Sequence, residues 1–282
     1  MPSRSRVISA PDPFIFGEIK RSDGFDNNSG YSVIGSKTAR AVAINSGVRN
    51  LVLISAGQSN FSSVSPTAYT PTNASVLDNF NVYNGLNYAA ADPLLGSTYH
   101  NTLGSGGVTL RVADLLVTNN KFDRVFIVPV AVGGSSIANW RVGGALYGNL
   151  TATMARLASR GITPGLSGVT FGFLWGQGES DPGTPQADYT AGLGEVLTAL
   201  FATGFDGRAF INQQTWRAGV TDASVRAAQA AAVNGTTIFA GADADTLIAG
   251  SRQADNTHFN DAGMASLATL IYNAMAASGA PY

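Results

Sequence analysis

Ser59 stands in Gly57-Gln-Ser-Asn60, directly after the short apolar run Leu51-Val-Leu-Ile-Ser-Ala56. A continuous run of this kind predicts a buried parallel strand. In open α/β sheets ligands bind at the carboxyl ends of such strands. A strand that stops at a glycine and presents a serine there suits nucleophilic attack on an ester carbonyl. That chemistry needs a base within hydrogen-bond reach, a group that orients the base, and donors for the oxyanion. The chain has two histidines, His100 and His258. His258 lies in Asp255-Asn-Thr-His258, where a three-residue offset in a loop lets Asp255 hold one imidazole nitrogen while the other faces Ser59. Glu179 is the competing partner for His258; its other reading is as a brace for its own loop. His100 lies in unpatterned sequence and reads as structural or surface-exposed.

Three oxyanion donors suggest themselves, each at or just after the end of a predicted strand. They are the backbone N–H of Ser59, the backbone N–H of Gly134 and the side-chain amide of Gln177. Trp140 either stacks on a sugar ring or packs beneath the Gly133-Gly134 loop. Trp175 reads as core and Asp181 as a turn or cap residue. Asp243 and Asp245 are close enough in sequence to suggest a cation site, but two acids in an alanine-rich turn are usually solvated. No metal or cofactor is expected.

The elements that must carry these residues alternate. Predicted strands at 51–56, 124–132, 169–175, 208–214 and 236–240 are separated by helical patterns. Those patterns cover 105–118, the stripe Leu146, Leu150, Met154 and Leu157, a segment starting near Pro185, and Val225 to Val233. A last helix follows Asn260, a good N-cap. Alternation of this kind predicts a mainly parallel, five-stranded α/β sheet. Pro129 is awkward inside a central strand and predicts a missing ladder bond. Residues 61–103 show no clear period; their aromatics Tyr69, Phe80, Tyr83, Tyr88 and Tyr99 either face a sugar or pack the loop down. Residues 1–50 read as an N-terminal extension or arm ahead of an esterase domain at 51–282. Phe14-Ile-Phe16, Tyr31-Ser-Val-Ile34 and Ala41-Val-Ala-Ile44 are its candidate strands, serving attachment or oligomerisation, or simply extra sheet edges.

The bulk numbers exclude several classes. In 282 residues the formal net charge is −1, 45% of residues are apolar and cysteine is absent. No basic run suggests a nucleic-acid partner or an anionic membrane surface. No thiolate or cysteine–zinc chemistry is available. No apolar run approaches a membrane span, and no signal peptide is read at the N-terminus.

Taken in order, Gly57-Gln-Ser-Asn60, Gly133-Gly-Ser-Ser-Ile-Ala-Asn-Trp140, Trp175-Gly-Gln-Gly-Glu-Ser-Asp181 and Asp255-Asn-Thr-His258 resemble the SGNH-hydrolase superfamily. The resemblance is specifically to the sialate O-acetylesterase-like carbohydrate esterases, and it covers roughly residues 50–275. It implies a flavodoxin-like three-layer α/β/α sandwich and metal-independent removal of O-acetyl groups from sugars. It implies Ser59 as nucleophile, His258 as base, Asp255 as its partner, and Ser59, Gly134 and Gln177 as oxyanion donors. Apart from the resemblance, Asn60 and Glu179 are candidate supporting residues. The expected partner is an acetylated oligo- or polysaccharide, such as an extracellular or cell-surface glycan. The chain departs from the family at Gly176, where a His or another larger residue is frequent, which leaves the pocket wall more open. It departs also at Phe61, where Met is common. The rival readings are an SGNH esterase for a non-sugar short-chain ester, and a glycan-binding or virion attachment module without turnover.

Overall fold

The computed structural model describes residues 37–44, 47–96 and 105–282. The candidate strands at 14–16 and 31–34, Tyr99 and His100 lie outside these residues.

Strand β2 (Asn50–Gly57) is buried along its whole length. It is central because parallel partners flank it on both sides: β7 (Arg124–Pro129) and β8 (Val169–Gly176). Beyond β8 the sheet continues in parallel through β9 (Arg208–Gln213) to β10 (Ile238–Asp243). Beyond β7 lies β4 (Leu77–Asn81), also parallel, and then β5 (Leu86–Ala89) and β1 (Ala39–Arg40), paired antiparallel. The sheet therefore has eight strands in the order β1-β5-β4-β7-β2-β8-β9-β10, not five. A separate two-stranded piece joins β3 (Ser63–Ser65) to β6 (Gly106–Gly107).

All five expected strands are present. The extra ones come from the segment that showed no period. Residues 77–89 form a hairpin around Asn84-Gly85, with Gly85 at φ 66°. Asn-Gly between apolar residues is a hairpin signal, but Asp78, Asn79 and Asn81 sit inside β4 and hide its apolar content. Asp78 and Asn79 are tolerated because each has a local partner. Asp78 pairs with Arg124 and Arg40, and Asn79 bonds Leu95. Residues 41–44 form no strand; the edge strand is Ala39–Arg40 just before them.

Side chains alternate across β2, and this alternation produces three layers. Val52, Ile54 and Ala56 face one cluster, built with helices α2 (Ile137–Trp140), α3 (Asn149–Ala158), α4 (Gln186–Phe201) and α5 (Ala223–Ala231). Leu51 and Leu53 face the other, built with α1 (Val108–Thr118) and α6 (Asp261–Ala277). The helices thus cover both faces, as an all-apolar parallel strand requires. Pro129 is accommodated as expected. Val130 N donates to Ser55 O, so the alternate position 129 points away from β2. There the β4 ladder has already ended at Asn79–Ile127. Among the described residues no helix is long and apolar enough to cross a membrane.

Candidate active site

Gly57 ends β2 at φ 128°, and a Cβ there would sit 2.0 Å from Gly176 O. Only glycine permits this approach. The chain then makes one tight turn, Ser59–Phe61, closed by Phe61 N on Gln58 O and Ser62 N on Ser59 O, both 2.9 Å. The turn holds Ser59 at the carboxyl edge of the sheet.

His258 arrives from the loop before α6. Its Nε2 lies 2.9 Å from Ser59 Oγ and its Nδ1 lies 2.5 Å from Asp255 Oδ2. The other oxygen of Asp255 accepts the backbone N–H groups of Thr257 and His258, at 2.9 and 3.0 Å. Partial burial raises the Asp255 pKa, but these hydrogen bonds outweigh it and hold the carboxyl below its ordinary value. It is therefore an anion at neutral pH, placed to orient the imidazole. Glu179 is not the partner of His258. It is only 2% exposed, and its Oε1 accepts from Asn60 Nδ2 and Gln214 Nε2, each at 2.8 Å.

The His258 loop is fixed from several sides. Asn60 Oδ1 accepts from Phe259 N at 3.1 Å, and Asn60 Nδ2 also reaches Thr257 O at 3.3 Å. Arg252 Nη1 donates to Thr257 O at 2.7 Å, with its guanidinium carbon 3.6 Å from the centre of the Phe259 ring. Trp216 Nε1 donates to Asn256 O at 3.0 Å, and Ala218 N to Thr257 Oγ1 at 3.0 Å. The segment that carries Trp216 is itself held by Asp245, which takes Thr215 N and Trp216 N at 2.7 and 2.8 Å. Asp245 is buried and Asp243 half-exposed, and both pair with Arg226, which lowers the Asp243 pKa and raises that of Arg226.

The Gly133-Gly134 loop is drawn to the same place. Val132 N donates to Gly57 O at 2.9 Å and Ser135 Oγ to the same oxygen at 3.3 Å. Gly134 has φ 72°. Among the described residues the backbone N–H groups of Ser59 and Gly134 engage no protein acceptor.

Gln177 differs from expectation. Its side chain is fully buried, and its amide nitrogen is taken by Ser135 O at 3.0 Å, by Gln58 Oε1 at 3.2 Å and by Asp181 Oδ2. Its oxygen accepts the Tyr189 hydroxyl at 2.8 Å. The amide thus joins three loops, and its N–H groups are engaged by protein acceptors. Trp140 is also a packing residue, 1% exposed, with Nε1 on Ser135 Oγ at 2.8 Å and its ring edge-on to Trp175. Asp181 caps α2 through Ile137 N. Of the aromatics downstream of Ser59, Phe80 and Tyr88 are core, Tyr69 donates to Asp114, and Tyr83 packs on the core.

The roles of two residues emerged only from the structure. Gln58 Oε1 gathers Gln177 Nε2 and Ser180 N, the latter at 3.0 Å. Phe61 fills the space beside Gly176, where a Cβ would lie 1.9 Å from its ring. The two departures at 61 and 176 are one compensated change, so the wall is filled rather than open.

Residues 49–277 match the family model described as "Carbohydrate esterase, sialic acid-specific acetylesterase". The chain belongs to this family. It is accordingly a carboxylic ester hydrolase of the carbohydrate acetylesterase type. Solved structures that resemble it share the fold at low identity. A protein from Arabidopsis thaliana has TM-score 0.61 at 18% identity over 82% of this chain and 98% of its own. NanS has TM-score 0.52 at 17% identity over 83% and 98%. A carbohydrate acetylesterase from Xanthomonas citri has TM-score 0.53 at 18% identity over 79% and 55%. No curated protein sequence matches the chain.

Proposed function

We propose that this esterase removes acetyl groups from an acetylated glycan through a covalent acetyl-serine at Ser59. The observation that carries the reading is the hydrogen-bonded line Asp255–His258–Ser59, at 2.5 and 2.9 Å. His258 Nε2 takes the Ser59 proton as Oγ attacks the acetyl carbonyl. Asp255 holds the tautomer with a proton on Nδ1 and stabilises the imidazolium that forms. The imidazolium then returns its proton to the departing sugar hydroxyl, and water activated by His258 releases acetate. The free N–H groups of Ser59 and Gly134 are the donors for the oxyanion. Each such donor contributes about 3–4 kcal/mol to the barrier reduction in well-studied hydrolases. Gln177 supports this hole indirectly, by tying the Ser135, Gln58 and Asp181 segments together.

The test is acetate release from acetylated xylan, pectin, O-acetyl sialic acids and bacterial polysaccharides, with an aryl acetate beside them. Ser59→Ala and His258→Ala are each expected to lose about 10³-fold or more in kcat, because members of such a unit fail together. Ser59→Ala with near-normal turnover removes the nucleophile assignment. Turnover of aryl acetate with no acetate released from any glycan favours a small-ester enzyme instead.

A further inference from the structure

Two buried oxygens near the site have no partner, and they belong to side chains that already touch. Gln214 Nε2 donates to Glu179 Oε1 at 2.8 Å, yet Glu179 Oε2 and Gln214 Oε1 are both buried without a hydrogen bond. With Glu179 ionised, both atoms are acceptors, and among the described residues no donor reaches either. Buried acceptors are rarely left so. A single proton on Glu179 Oε2 resolves both, since a carboxylic acid and a primary amide can pair through two hydrogen bonds, N–H to acid oxygen and O–H to amide oxygen. The division of labour within the carboxyl fits this. Both outside donors, Asn60 Nδ2 and Gln214 Nε2, fall on Oε1, leaving Oε2 as the hydroxyl.

The charges around the group do not reverse this. Arg252 faces it, but its guanidinium donates to Leu247 O, Thr257 O and Ala244 O rather than to Glu179. Asp245 and Asp255 lie near Arg252 and share its field. Arg217 reaches only the Glu179 backbone oxygen, at 3.4 Å. Tyr189 on α4 is a buried neutral phenol, and Asp181 is engaged by Gln177 and Ile137. Burial dominates and pushes the Glu179 carboxyl up to about 7.

We propose that Glu179 works as a neutral carboxylic acid whose Oε2–H donates to Gln214 Oε1, and that this acid–amide pair positions Asn60 and through it the His258 loop. Asn60 is the link because it also bonds Thr257 and Phe259, the two neighbours of His258. The positioning half of this proposal rests on the esterase reading; the protonation half does not. Ionisation replaces the acid by a buried anion and leaves Gln214 Oε1 without its donor, which loosens the hold on Asn60.

Glu179→Gln keeps every bond, because its NH₂ can replace the hydroxyl. Three measurements decide. In infrared difference spectra of wild type against Glu179→Gln at about pH 6, below the raised pKa, a protonated-carboxyl C=O band is expected; a carboxylate band in its place overturns the protonation. In thermal unfolding, the native state holds a proton that the unfolded chain gives up above its ordinary value of 4.5. Wild type should therefore lose stability relative to Glu179→Gln as pH rises from 4.5 towards 7, and a constant gap overturns the proposal. In kinetics, Glu179→Gln should stay within about threefold of wild-type kcat/KM and escape the wild-type decline at alkaline pH, while Glu179→Ala, checked as folded by circular dichroism, drops about tenfold or more. Equal losses in the two variants overturn the positioning role. If no acetate is released by wild type at all, the esterase reading fails while the spectra still report the proton.

Discussion

Ser59, His258 and Asp255 sit close enough to act as one unit, and the weakest link in that unit is the one most open to water. The Asp255 side chain is 47% exposed, against 20% for His258. Its contribution is therefore orientation more than field strength, since exposed charges are screened. Asp255→Asn tests this. The asparagine keeps the size but removes the anion that selects the Nδ1–H tautomer, and kcat is expected to fall by about 10²–10⁴-fold with little change in thermal stability. A loss below about threefold, measured on the best acetylated substrate, assigns the orienting role elsewhere. At this scale the candidate residues were legible because their chemistry is tied to residue type: a serine at a strand end, one of two histidines, and a carboxylate three residues before it. Gln177 was legible as important but not in what its amide does. Its sequence neighbours gave no sign that Ser135 O, Gln58 and Asp181 would take its amide protons.

At the scale of elements, the end of β2 against the end of β8 sets the floor of the site. Gly57 and Gly176 are register partners, and Phe61 covers the second of them. A methyl at 176 overlaps the Phe61 ring, so Gly176→Ala is expected to destabilise by about 1–3 kcal/mol, the range for overpacking a close-packed site. In a Phe61→Met background, with a narrower and more flexible side chain, the same substitution should cost less. A denaturant-unfolding double-mutant cycle measures the difference, which for contacting residues is about 0.5–3 kcal/mol. Identical costs in both backgrounds refute the coupling. The hairpin β4–β5 shows why element prediction stopped short. Its strand carries Asp78, Asn79 and Asn81 in buried positions, and tertiary partners such as Arg124 and Leu95 are what make such residues tolerable there.

For the whole molecule, residues 37–40, inside the stretch the sequence assigns to an extension ending at 50, are tied to the sheet. Lys37 donates to Ala91 O and Pro93 O, and Arg40 to Ala74 O and Asp78. We propose that residues 1–36 are separable and residues 37–50 are not. If that proposal holds, deletion of 1–36 should leave aryl-acetate hydrolysis within about twofold and the melting temperature within a few degrees. Deletion of 1–46, which removes β1 and its ion pair, should lower the melting temperature clearly. A large loss of activity on the shorter deletion places the arm in the catalytic unit; a change of oligomeric state measured by light scattering assigns it to assembly.

The sequence by itself determined the mainly parallel α/β plan, five of its strands, the helices between them and the candidate residues for the catalytic line. Those follow from local signals: apolar runs, helical periods, caps such as Asn260, and short motifs at strand ends. Tertiary structure alone decided which carboxylate faces His258, which acceptors take the Gln177 amide, that Trp140 is core, and that Phe61 and Gly176 compensate each other. The physical reason is common to all four. Each depends on which buried polar group or which volume meets another, between distant parts of the chain or within a turn whose side-chain directions are set by packing, and no local pattern encodes that meeting.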